Sequence, residues 1–138
     1  MAHDPAFDAA LAPSLDDFDA LARAAWAALP APFRALAGEV VFRIEDFADE
    51  DVLREMEIED PFELTGLYWG VDLASQSVMD PNPNIPMVFL YRRAILDEWA
   101  ARGDVALGAL IAHVLVHEVG HHFGLSDADM DAILEQAD

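Results

Sequence analysis

Apolar residues recur at helical spacing over residues 15–29, where Leu15, Phe18, Leu21, Ala22, Ala25, Trp26 and Leu29 share one face. Ser14, followed by Asp16 and Asp17, reads as an N-cap with acidic residues in the first turn, and Pro30 and Pro32 stop the helix. The pattern then changes. Glu39-Val-Val-Phe-Arg-Ile-Glu is rich in β-branched and aromatic residues and predicts a first strand over 39–45. Residues 45–60 are dense in carboxylates with only Arg54 to offset them. They lack the alternating Asp/Asn pattern and central glycine of a calcium loop, so a solvated connection with a short helix around 51–56 is expected. Leu64-Thr-Gly-Leu-Tyr-Trp-Gly-Val predicts a second strand, with Gly66 and Gly70 marking a bulge or a close backbone contact. Residues 80–86 form a stiff proline-rich turn region, and Met87-Val-Phe-Leu-Tyr is a third strand, apolar on both faces. A helix over 94–101 ends at Gly103. Asp104 then caps a long apolar helix to about residue 123, which Gly124 closes. A last short helix over 127–136 opens with Ser126 as cap and Asp129 three residues on.

The order helix, strands, helix, helix predicts an α+β fold and not alternating βαβ units. The expected architecture is an N-terminal helix, a short mixed sheet of about three to four strands, a long apolar helix and a C-terminal helix. At 138 residues the chain has enough apolar residues for one core. Residues 1–13, with Pro5 and Pro13, are expected to be loose, and 14–138 to form the single domain.

Composition narrows the function classes. The formal net charge is −20, and all seven basic residues are arginine. A field this negative repels phosphate backbones and anionic lipid, which argues against nucleic-acid and membrane-surface roles. It could steer cationic peptides inward, although solubility alone accounts for it. The Ala- and Arg-rich, lysine-free usage points to a GC-rich bacterial origin. Cysteine is absent, so any transition metal must be held by histidine and carboxylate. The uncharged run 105–116 is too short to span a bilayer, and residues 1–14 lack the pattern of a signal peptide. A cytoplasmic protein is the expectation.

The chemistry lies in Val116-His117-Glu118-Val119-Gly120-His121-His122-Phe123-Gly124-Leu125-Ser126-Asp127. His117 and His121, four apart on a helix, project from one face about 6 Å apart along the axis and can share one zinc ion. Glu118 sits about 100° round the helix, placed to act as general base on a zinc-bound water. Zinc needs a third protein ligand if one position is to stay open. Gly124 permits a sharp turn, and the first potential ligand beyond it is Asp127, six residues past His121. Asp129, Asp131 and Glu135 are alternatives if the final helix folds back over the metal. His113 is also four residues from His117, but it lies about 12 Å from His121, too far for both to bind one ion. His122 lies about 100° off the ligand row, so packing is the simpler reading for both of these histidines. Gly120, inside the helix, suggests that a strand or the C-terminal turn approaches closely there.

This stretch resembles the active-site helix of the zincin metallopeptidases. HEVGHHFGLSD is closest to the metzincin pattern, with Asp127 where most metzincins carry a histidine, as in the snapalysin-like peptidases. The whole chain, with Tyr68-Trp69-Gly70 and the segment 87–92, more closely resembles a family of minimal bacterial zincin-like metallopeptidases. The resemblance implies one zinc per chain on His117, His121 and Asp127, with Glu118 as the catalytic base. It also implies a sheet-edge strand that holds substrate by backbone pairing, for which residues 86–91 are the candidate. The methionine turn that usually lies below the metal is not evident. Met130, the only methionine after the motif, falls on a predicted helix.

The leading expectation is peptide-bond hydrolysis on a peptide or protein substrate, with Tyr68, Tyr91 or a spare histidine available to the oxyanion. The alternative is a zinc-stabilised binding or regulatory domain with little catalysis. Glu118 weighs against that alternative, since a purely structural site does not need it.

Overall fold

The computed structural model describes residues 5–70 and 85–137. After a 3-10 turn at Pro5–Phe7 come helix α1 (Leu15–Ala28), helix α2 (Ala31–Ala37), strand β1 (Val41–Glu45) and helix α3 (Glu50–Glu55). A second 3-10 turn, Pro61–Glu63, leads into β2 (Gly66–Trp69). The chain closes with β3 (Met87–Tyr91), α4 (Arg92–Arg102), α5 (Leu107–His122) and α6 (Asp127–Gln136). The proline-rich turn expected over 80–86 lies, apart from Ile85 and Pro86, outside the described residues. The fold is α+β, with helices at both ends and a three-stranded mixed sheet.

Local chemistry explains most boundaries. Ser14 and Asp17 form a reciprocal capping box at the start of α1, and Ser126 and Asp129 form another at the start of α6. The prolines expected to end α1 do so, but they also start α2, an element absent from the sequence-based expectation. Pro30 is its N-cap residue and Pro32 lies in its first turn, where a missing N–H is harmless. The long helix begins at Leu107 with Ala106 as cap, not at Asp104, and has no side-chain cap. Gly103, with φ 76°, ends α4 in the left-handed conformation.

The sheet order is β1-β3-β2, with β1 parallel and β2 antiparallel to β3. Residues 86–91 therefore contain the central strand and not the expected substrate-holding edge, because both of its backbone edges are already paired. A central strand covered on both faces needs apolar residues throughout, which accounts for Met87-Val-Phe-Leu-Tyr. On one face Phe42, Ile44, Val88, Leu90 and Tyr68 pack into the main core with α1 and α5. On the other face Leu67, Phe89 and Tyr91 join Ala48, Leu53, Leu64 and Ala94 in a second cluster. α5 supplies the backbone of the main core through Leu110, Ile111, Val114, Leu115, Val116 and Val119.

Candidate metal centre

The last two turns of α5 and the first residue of α6 come together at one place. Phe123 ends α5, Gly124 turns the chain with φ +76°, and the Leu125 N–H donates to the Gly120 carbonyl at 2.9 Å. The Ser126–Asp129 capping box then starts α6, so that Asp127 is its first helical residue. Potential ligand atoms of His117, His121 and Asp127 all lie within 4.8 Å of one another. His117 is half-buried and the other two are exposed, so the group opens to solvent on one side. The His117 and His121 rings are 5.6 Å apart, as the four-residue spacing requires.

The fit to a metal can be judged from the polar groups themselves. Nε2 of His117 is buried and has no hydrogen-bond partner among the described residues. An orphaned buried imidazole nitrogen is costly unless something binds it. Two imidazoles and a carboxylate at mutual distances below 5 Å, with no thiolate, form a donor set that suits zinc with one position left open. Of the alternative ligands, Asp129 spends its carboxylate on the capping box, and neither Asp131 nor Glu135 joins the cluster.

Glu118 faces the sheet. A Cβ placed on Gly66 would lie 2.8 Å from Val114 Cγ1, 3.0 Å from the Phe89 carbonyl oxygen and 3.5 Å from Glu118 Cγ. Gly66 is thus a point of close approach between β2 and α5, and the Glu118 side chain passes over it. No hydrogen bond or ion pair reaches the Glu118 carboxylate among the described residues, and burial pushes its pKa up to about 7. β2 forms the antiparallel edge of the sheet beside this carboxylate. Sequence reasoning missed that placement because strand order depends on long-range pairing, although the unbroken apolar run of β3 was a signal that it lay centrally.

The remaining candidates separate clearly. His113 stacks on His117 with ring centroids 4.1 Å apart, and burial, then the neighbouring His117, hold its pKa down. His122 meets Tyr68 edge-on at 4.7 Å and Phe123 at 5.0 Å. Tyr68 is buried on the α5 side of the sheet, and burial raises its hydroxyl pKa. Tyr91, expected as a possible oxyanion donor, lies on the opposite face of the sheet, 1% exposed. Burial, then the carboxylates of Glu45, Asp49 and Glu118, push its hydroxyl up to about 12. Tyr91 is a core residue. Met130 is fully buried on α6 against Gly120, so the close approach expected at that glycine is made by a helix.

No curated protein matches the sequence. A family model described as zincin-like metallopeptidase matches residues 37–137, from the end of α2 through α6. With most of its length matched, the chain belongs to the zincin-like metallopeptidase family.

Proposed function

We propose that the protein is a zinc-dependent peptidase in which His117, His121 and Asp127 hold one zinc ion and Glu118 is the general base. The observation that carries this reading is the buried, unpartnered Nε2 of His117 beside His121 and Asp127, with the half-buried carboxylate of Glu118 on the next helical position. When bound, zinc supplies Lewis acidity, polarising a scissile carbonyl and lowering the pKa of a coordinated water toward neutrality.

The protein's own groups do the rest. Glu118, on the helical position next to His117, is placed to take a proton and return it to the leaving amine. The free edge of β2 is the strand on which an extended peptide would pair, because among the described residues β2 bonds only to β3. Gly66 keeps that edge close to Glu118. The chain's formal charge of −20 favours cationic peptides over nucleic acid as partners. Among the described residues no single helix is long and apolar enough to cross a membrane.

The second reading, a zinc-stabilised binding or regulatory domain, draws on the exposure of His121 and Asp127, which leaves the site open instead of sunk in a cleft. A peptide-library screen with zinc-loaded protein and its Glu118→Gln variant separates the two. The catalytic reading expects hydrolysis by the wild type and a loss of about 100-fold or more in the variant at unchanged zinc content. Hydrolysis that survives the substitution contradicts it. No hydrolysis of any library member leaves the binding reading standing.

A further inference from the structure

We propose that Met130, lodged against Gly120, is a positioning residue that sets where the Asp127 carboxylate stands relative to His117 and His121. The inference rests on the reading that these three residues hold zinc.

Gly120 immediately precedes His121 in the interior of α5 and is buried. A Cβ built there would lie 2.6 Å from Met130 Sδ and 2.9 Å from Met130 Cγ, closer than real Cβ atoms come. Leu125 Cδ1 would meet the same Cβ at 3.6 Å. A side chain at 120 could therefore be seated only if the buried Met130 thioether moved. Gly124 is different: it has φ +76° and nothing within 4 Å of a built Cβ, so it serves the backbone turn. The role of Gly120 is steric.

Asp127 needs such an anchor. It is exposed, and no hydrogen bond or ion pair holds its carboxylate among the described residues, so its place is dictated by the helix that carries it. Met130 follows Asp127 by three residues and so lies on the same side of α6. Fixing Met130 fixes the first turn of the helix. The other end of that turn is held by the hydrogen bond from Leu125 N–H to the Gly120 carbonyl and by the Ser126–Asp129 box. The Met130 contact and the Leu125 hydrogen bond both lead back to Gly120, the neighbour of His121. Two of the three ligands thereby share one anchor, and a methyl group at 120 would displace the third ligand without touching any of them.

The test is zinc affinity, measured by competition with a chromophoric chelator, alongside the far-ultraviolet circular dichroism of each metal-free protein. Gly120→Ala is expected to stay folded and to bind zinc about tenfold or more weakly, the range seen when supporting groups of a metal site are lost. Met130→Ala is expected to weaken binding by a few-fold. In the double variant the methyl at 120 meets no thioether, so its affinity should match that of Met130→Ala alone. A folded Gly120→Ala that binds zinc like the wild type overturns the proposal, as do effects that simply multiply in the double variant. Hydrogen exchange on the wild type decides the matter if Gly120→Ala does not fold. Zinc should then slow exchange of the α6 amides around Met130, and α6 exchange indifferent to zinc overturns the inference. A wild type that binds no zinc removes the proposed function and this inference together. An insensitive Gly120→Ala removes this inference alone.

Discussion

Replacing Glu118 by glutamine should stabilise the metal-free protein at pH 8 and leave its stability unchanged at pH 4. The Glu118 side chain is half-buried over Gly66 with no hydrogen-bonding or charged partner among the described residues, and its partial burial raises its pKa from 4.5 to about 7. Between those values the folded chain binds more protons at this position than the unfolded chain does. Stability is therefore lost as pH rises from about 4.5 to about 7 and stays lost above it. At about 1.4 kcal/mol per pH unit the gap corresponds to an upper bound of about 3.5 kcal/mol, which solvent reaching the half-buried side chain reduces. Glutamine keeps the shape without the charge, so it escapes this cost. The assay is urea unfolding of wild type and Glu118→Gln in chelator at several pH values. Taking the difference between them cancels the general repulsion of an acidic chain. The reasoning requires a difference near zero at pH 4 that grows to between about 1 and 3 kcal/mol in favour of glutamine at pH 8. A difference that does not change with pH, or a variant less stable than the wild type at pH 8, refutes it. The same substitution should abolish hydrolysis, so a carboxylate that destabilises the fold would also be the one the chemistry needs.

Two glycine substitutions should separate packing from backbone effects. Gly66→Ala places a methyl 2.8 Å from Val114 Cγ1 and 3.0 Å from the backbone oxygen of Phe89, which cannot yield easily. It should cost about 1–3 kcal/mol in urea unfolding, and a neutral result would show that β2 and α5 are not tightly apposed. Gly124→Ala meets no neighbouring atom and should cost only about 1–2 kcal/mol, for its φ of +76°. A much larger loss would mean that residue 124 is packed.

The parts of this protein that were legible in its sequence are the parts fixed by local chemistry. The spacing of His117, Glu118 and His121 places their side chains on neighbouring faces of any helix, and the short turn after Gly124 leaves Asp127 as the next available carboxylate. Ser14 and Ser126 announce their helices through capping boxes that both form. What could not be read depends on distant partners or on one feature with two meanings. Pro30 and Pro32 end α1 and also open α2, and only the tertiary structure shows the second role. Asp104 has the chemistry of a cap, yet the cap position is Ala106 and α5 starts at Leu107, three residues beyond Asp104. The sheet order places Met87–Tyr91 between the other two strands, which moves the free edge to β2 and Tyr91 to the far face. Gly120 signalled a close approach, but that α6 fills the space with Met130 is a property of the fold.

Zinc content is the most direct test of the central claim. The full chain, purified without a histidine tag and without chelators, would be taken for elemental analysis beside His117→Ala, His121→Ala and Asp127→Ala. About one zinc per chain in the wild type, lost or greatly weakened in each variant while the metal-free proteins remain folded, is the predicted result. A wild type without tightly bound metal, or an Asp127→Ala variant that retains zinc at full affinity, would contradict the three-ligand site.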